Sequence, residues 1–174
     1  LIVNDKINIS KDIIEKFNTA IKRRIKNEPV AYITGKKEFW SQNFFTNKAT
    51  LVPRPETELL IYKIIDIFKN RKINILDIGT GTGCILLSLL RELKKSRGIG
   101  IDVSSQAIRV AKINSKKLLL DNRAKFKSFN LNSYKSGIFD LVVSNPPYIP
   151  SREIRKLSKD IINFEPKLAL DGGV

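Results

Sequence analysis

Histidine is absent from the 174 residues, which removes the commonest general base and metal ligand and argues against a zinc site or a serine-type triad. A single cysteine, Cys84, excludes an internal disulfide framework. No apolar run is long enough to span a bilayer, and no charged-then-apolar leader opens the chain. A soluble, cytoplasmic protein with no membrane partner is expected. Methionine is missing even at position 1, the pattern of a fragment or of a product without its natural start. Acidic residues are scarce, 17 Asp and Glu against 32 Lys and Arg, for a net charge of +15. Such a balance is met in RNA- and ribosome-binding proteins. Because the charge is spread rather than clustered, it fits a coding bias toward A and T equally well, and direct nucleic-acid binding is left open without being favoured.

Hydrophobic residues make up 42% of the chain, enough for one core of ordinary size. Asp12 to Lys26 reads as a helix with Ile14, Phe17, Ile21 and Ile25 on one face and Ser10 as its expected cap. Pro29 ends it. The runs Glu38-Phe39-Trp40 and Phe44-Phe45-Thr46, separated by Ser41-Gln42-Asn43, predict a small hairpin. In Pro53-Arg54-Pro55-Glu56-Thr57-Glu58, Pro55 suits a helix start and the two acids complement the amino-terminal dipole of a helix through Leu59, Leu60, Ile64 and Phe68. That stretch has a complete structural account, beside a functional one in which it supplies Arg54, Glu56 or Thr57 to a neighbouring site.

The strongest local pattern follows. Ile73 to Ile78 reads as a strand, Gly79-Thr80-Gly81-Thr82-Gly83 as a glycine-rich turn, and Cys84 to Leu93 as an apolar helix, the context that gives a glycine motif its meaning. A second strand, Arg97 to Ile101, ends at Asp102, about twenty residues beyond the turn, where an acid accepts hydrogen bonds from the two hydroxyls of a ribose. A purely structural strand–helix–strand unit is the alternative. Ser104-Ser105 predicts the cap of a helix carrying Ala107, Val110, Ala111 and Asn114, and Ala124 to Phe129 is a weaker third strand.

A fourth strand, Phe139 to Val143, runs into Ser144-Asn145-Pro146-Pro147-Tyr148, where the prolines forbid its continuation. The prolines have no N–H to donate and stiffen the loop, Asn145 brings a side-chain amide, and Tyr148 a flat face with a polar tip. Such a loop suits a planar –NH2 group; a plain Pro-Pro turn is the other reading. Parallel strands with intervening helices predict a doubly wound, Rossmann-like α/β sheet. It would place the glycine turn, Asp102 and the Asn145 loop on one carboxyl edge.

From Glu28 to Gly173 the chain resembles the HemK/PrmC family of S-adenosylmethionine-dependent methyltransferases, which modify the glutamine of Gly-Gly-Gln in peptide chain release factors. The resemblance rests on Glu28-Pro29-Val30-Ala31-Tyr32-Ile33-Thr34-Gly35, Glu38-Phe39-Trp40, Pro53 to Glu58, Asp77 to Gly83, Asn145-Pro146-Pro147-Tyr148-Ile149 and Glu165-Pro166-Lys167-Leu168-Ala169-Leu170. It implies a class I methyltransferase fold with S-adenosyl-L-methionine as cofactor. Gly79, Thr80, Gly81, Thr82 and Gly83 would wrap the methionine end and Asp102 hold the ribose. Asn145 through its side-chain oxygen and Pro146 through its carbonyl would bind the amide hydrogens of the substrate glutamine, with Pro147 and Tyr148 completing the catalytic loop. Glu56 and Thr57 would shape the site without acting as a base.

The chain departs from the family at Phe129-Asn130, where an acid followed by an aromatic usually meets the adenine and Asn130 would take that cofactor contact, and at Ser41, where the family has glycine. The resemblance further implies truncation at both ends, with residues 1–27 a remnant of a helical domain, 28–58 a hairpin and linker, and 59–174 a methyltransferase domain lacking about three later strands. A release factor would then be the protein partner of a monomer. Two other readings are an adenine-N6 nucleic-acid methyltransferase, which shares the Asn-Pro-Pro-Tyr run, and a non-catalytic remnant that binds cofactor or a partner.

Overall fold

The computed structural model describes residues 9–129 and 137–174. In chain order come helix α1 (Lys11–Ile25), the short helix α2 (Val30–Thr34), a hairpin of β1 (Lys36–Phe39) and β2 (Gln42–Phe45), α3 (Glu58–Phe68), β3 (Asn74–Ile78), α4 (Cys84–Glu92), β4 (Arg97–Asp102), α5 (Ser105–Lys117), β5 (Ala124–Ser128), β6 (Leu141–Ser144), β7 (Ile149–Pro150), α6 (Lys159–Phe164) and β8 (Asp171–Gly173). Strands β5, β4, β3 and β6 lie side by side in that order, all parallel. The chain starts at β3, steps outward to β4 and β5, and returns to β6 on the other side of β3. Strand order therefore reverses between β3 and β6, and in such sheets the carboxyl ends open a crevice there. The expected α/β class with a parallel central sheet is borne out.

Strand alternation decides where the core lies. Ile75, Ala124, Phe126 and Val143 share one face of the sheet and join residues of α3, α4 and α5 in one buried cluster. Every residue of α4 from Ile85 to Leu90 is buried, because that helix is pressed between the sheet and α3. Each fully buried Leu or Ile of this cluster contributes about 1.5–3 kcal/mol. On β4 the same face carries glycine: a Cβ at Gly98 would meet Leu86 at 2.4 Å, and one at Gly100 the Phe126 ring at 2.6 Å. The strand has no side chain where its neighbours approach closest.

The hairpin closes one end of this core with Phe39 and Phe44, both buried, their rings edge to face at 6.1 Å. Asn114 of α5 anchors it. Its Oδ1 accepts the Phe45 N–H at 2.7 Å, while Nδ2 donates to the carbonyls of Phe45 at 3.0 Å and Thr82 at 2.9 Å. One buried amide thus ties the hairpin to the glycine turn, and a buried polar group so satisfied costs little.

Local expectations change in places. The hairpin turn is Trp40-Ser41, both in the left-handed region at φ 50° and 53°, with Gln42 already paired to Phe39; the connection is two residues, one step earlier than expected. Both φ signs match the turn type that the twist of a tight hairpin requires. Ser10 does stand at the cap of α1, but its side chain makes no cap bond, and its carbonyl takes the Ile13 and Ile14 N–H groups instead. The apolar face of α1 is not buried, Phe17 being 63% exposed. The helix is fastened at its end, where Arg23 forks onto Glu28 at 2.7 and 2.8 Å. That fork holds the Glu28 carboxyl below the usual range and raises the Arg23 guanidinium.

Candidate active site at the carboxyl edge of the sheet

The glycine turn leaves β3 in a conformation that side chains resist. Gly79, Gly81 and Gly83 have φ of 70°, 54° and 80°. A Cβ at Gly79 would meet nothing within 4 Å, and one at Gly81 only the Gly79 carbonyl at 4.0 Å, whereas one at Gly83 would touch Leu87, Phe126 and Ala111 at 3.1–3.3 Å. The first two glycines leave room for a ligand; the third fits α4 onto the sheet. Accordingly Gly79, Thr80, Gly81 and Thr82 line the adjoining cavity and Gly83 does not.

β4 fixes the turn. The Ile101 carbonyl accepts the N–H groups of Gly79 and Thr80 at 2.9 and 3.0 Å. Asp102 Oδ2 accepts the Gly81 N–H at 3.0 Å and its Oδ1 the Ser104 N–H at 2.9 Å. Each carboxylate oxygen keeps further lone pairs for a ligand. Ser104 caps α5 as expected, its hydroxyl accepting from the Ala107 N–H at 3.2 Å.

Two titratable groups lie behind the turn. Burial pushes the Asp77 carboxyl up to about 6, opposed by the Thr80 hydroxyl, which donates to Oδ2 at 2.6 Å. The Leu86 amide favours its ionised form more weakly, without closing a hydrogen bond to Oδ1, which has no partner among the described residues. Burial likewise pushes the Cys84 thiol up to about 12. Cys84 touches the cavity, and Asp77 does not.

The Ser144 hydroxyl donates to the Ile78 carbonyl at 2.9 Å, joining the ends of β6 and β3 so that the Asn145 loop begins beside the glycine turn. Two cavities meet there. One, of about 320 Å³, runs along the turn past Asp102, Ser104 and Phe129. The other, of about 430 Å³, has apolar walls from Leu60, Ile149, Ile161 and Leu170, with Glu56 and Thr57 beside them. Asn145 lines both; Pro147 faces the first, and Pro146 and Tyr148 the second. Tyr148 is 75% exposed. Asn130, the remaining expected cofactor residue, lies outside the described residues. Among the described residues no cluster of three or more Cys, Asp or Glu side chains is placed to hold a metal ion, and no helix is long and apolar enough to cross a membrane.

Sequence reading offered Arg54, Glu56 or Thr57 to a neighbouring site, and Arg54 and Thr57 do line both cavities, but it missed the rest of the roof over them. That roof is built from Leu51 and Arg54 on one side and Ala169 on the other, with Pro166 and Leu168 over the first cavity and Leu170 over the second. The signal was nonetheless present, since Pro53 to Glu58 and Glu165 to Leu170 are two of the runs that carry the resemblance.

A family model for the methyltransferase small domain matches residues 55–173, and one for the PrmC N-terminal domain matches residues 1–35. The chain belongs to the methyltransferase small domain family. Its relatives include proteins named release factor glutamine methyltransferase from Bradyrhizobium diazoefficiens, 46% identical over 87% of this chain and 52% of that protein, and from Buchnera aphidicola subsp. Schizaphis graminum, 45% identical over 98% and 61%. This methyltransferase-family chain thus spans between half and two thirds of the length of those relatives. Both comparisons bear out the HemK/PrmC resemblance. Among solved structures, the hMettl16 catalytic domain in complex with MAT2A 3'UTR hairpin 6 matches with a TM-score of 0.65 at 18% identity, over 83% of this chain and 56% of that one; it shares the fold.

Proposed function

We propose that this chain transfers the sulfonium methyl group of S-adenosyl-L-methionine to the side-chain amide nitrogen of the glutamine in the Gly-Gly-Gln motif of peptide chain release factors. The observation that carries the reading is the place of Asn145: it stands at the strand-order reversal, in the wall shared by a nucleoside-sized cavity and a second cavity with apolar walls. The names of the relatives support the choice of acceptor.

The residues fit the cofactor. Open space above Gly79 and Gly81 accepts the methionine end, and the Asp102 carboxylate, aimed by two backbone N–H groups, accepts the ribose hydroxyls. Bound there, S-adenosyl-L-methionine supplies an electrophilic methyl group. The acceptor amide is a weak nucleophile because its lone pair is delocalised, so the protein's task is aim and hydrogen bonding. Asn145 Oδ1 and the Pro146 carbonyl take the two amide hydrogens, turn the nitrogen toward the first cavity and favour charge developing on it. Tyr148 covers the glutamine side chain, and the apolar walls of the second cavity exclude water from it. The N–C bond would form as the methyl–sulfur bond breaks, leaving S-adenosylhomocysteine, and the N-protonated methylamide, a very strong acid, would give its proton to solvent on the exposed Tyr148 side, so no side-chain base is required.

The test is methyl transfer from labelled S-adenosyl-L-methionine to a release factor, alongside the same factor with the Gly-Gly-Gln glutamine replaced by alanine. Label should enter the first and not the second, and Asn145→Ala should lower the rate by about a hundredfold or more. Label entering adenine of RNA or DNA, with none in the release factor, would overturn the choice of acceptor. A folded chain that binds no cofactor would overturn the reading altogether.

A further inference from the structure

The two halves of the roof come from segments far apart in the chain and meet through one carboxylate. Glu165 Oε2 accepts the Val52 backbone N–H at 3.1 Å, and Oε1 receives the Arg54 guanidinium at 2.6 Å. The Glu165 side chain is 1% exposed, so its charge is out of water and depends on these partners. Phe164, beside it, packs against Ala31, Tyr32 and Val52, with the Lys48 ammonium 5.0 Å above its ring. Glu165 lines neither cavity, whereas Arg54 lines both. A charge-assisted contact of this kind fixes direction as well as distance. Arg54, which lines both cavities, is thus held by a residue that lines neither.

We propose that the Arg54–Glu165 pair is a clasp that sets the separation and aim of the two cavities, with Glu165 as a positioning residue acting through Arg54 and the Val52 amide. The proposal rests on the methyl-transfer reading above. The groups assigned to the donor, Gly79 to Thr82 and Asp102, sit on the ends of β3 and β4 and not on the roof. The Leu170 carbonyl, five residues after Glu165, accepts the Ile149 N–H at 3.1 Å and so holds the far end of the Asn145 loop; loosening the clasp leaves the donor contacts in place while that loop shifts against them. In-line transfer depends steeply on that alignment, a misplacement of about 1 Å costing on the order of a hundredfold in rate. Because the roof also covers the first cavity, the predicted signature is a loss in kcat much larger than any loss in cofactor affinity.

The experiment uses the full chain with Glu165→Gln, Arg54→Gln and Arg54→Lys. Glutamine at 165 has one acceptor oxygen for two donors, so either Val52 or Arg54 is left facing an amide N–H. The readouts are S-adenosylhomocysteine affinity by calorimetry, kcat and KM with a release factor as acceptor, and Tm. Glu165→Gln should lower kcat by about 10- to 100-fold while the Kd stays within about threefold. Arg54→Lys, which retains the charge, should recover part of the rate lost in Arg54→Gln, and it keeps the proposal testable if the position-165 variant does not fold. A merely structural pair would lower Tm and leave kcat per folded molecule unchanged; that result overturns the proposal, as does a loss confined to cofactor affinity. A parent chain that transfers no methyl group overturns the reading and the proposal together. A parent that transfers, with variants matching its kcat, overturns the proposal alone.

Discussion

Asp102 and Gly81 are joined by a 3.0 Å hydrogen bond from the backbone N–H of the turn after β3 to the carboxylate that ends β4. The residue assigned to the ribose therefore also shapes the turn assigned to the methionine end. Asp102→Ala should abolish measurable S-adenosyl-L-methionine binding in calorimetry and lower stability by roughly 1–3 kcal/mol, because the Gly81 and Ser104 N–H groups lose their acceptor. Asp102→Asn keeps one acceptor oxygen and should fall between the two. Binding unchanged in the alanine variant would remove Asp102 from the site.

Asp77 gives a pH prediction whose sign is opposite to the usual carboxylate. Its folded value of about 6 lies above the ordinary 3.8, so the folded chain holds the proton more tightly than the unfolded one. Its stabilising contribution is complete below about pH 3.8 and disappears as pH rises through about 6. At roughly 1.4 kcal/mol per pKa unit, the ionised form is disfavoured at neutral pH by on the order of 3 kcal/mol. Asp77→Asn should therefore raise Tm at pH 7 and lose that advantage near pH 4. A Tm difference that stays flat between those values would exclude Asp77 as the titrating group.

Ser41 holds φ 53° in the hairpin turn, a conformation that costs an L-residue about 1–2 kcal/mol. The turn is kept there by its neighbours: Glu58 accepts the Trp40 backbone N–H at 3.0 Å and Glu92 its indole N–H at 3.0 Å. Ser41→Gly should stabilise the chain by about 0.5–1 kcal/mol after the added freedom of the unfolded state. A denaturation midpoint that moves up with unchanged slope would show it; a lower midpoint would mean that the serine side chain matters to the turn.

Cys84 is half-buried where it lines the first cavity, so its reactivity reports the acidity of the thiol rather than access to it. With its thiol pushed up to about 12, the thiolate fraction at pH 8 is about a thousandfold below that of a free cysteine. Alkylation by iodoacetamide, followed by mass spectrometry, should be slower by about that factor in the folded chain and normal in denaturant. Rapid labelling of the folded chain would mean that the thiol is not held up by its surroundings.

Sequence made legible what is local. The strand, glycine turn and helix from Asn74 to Glu92 occupy consecutive residues, and Asp102 follows after a single further strand, so periodicity and turn chemistry reach them. The hairpin was visible, but not its turn, because Trp40 and Ser41 adopt left-handed φ without the glycine or asparagine that normally announces it. The short helix α2 was hidden by the β-branched residues Val30, Ile33 and Thr34. Asn114 was read as part of a helix face, yet its bonds to Phe45 and Thr82 depend on pairings that no helical period encodes. The same holds for Arg54 and Glu165, which only the folded roof brings together.

The first cavity draws its wall from stretches as distant as Ala49 and Ala169. Contacts of such separation require long loops to close, at an entropic cost that slows folding. A ligand site there needs all of those stretches in place at once, and no short peptide cut from the chain carries it. A ligand held there stabilises the whole cooperative unit, by about 2.7 kcal/mol at a hundredfold excess over its Kd. A rise in melting temperature on adding ligand is accordingly a report that distant stretches of the chain have assembled.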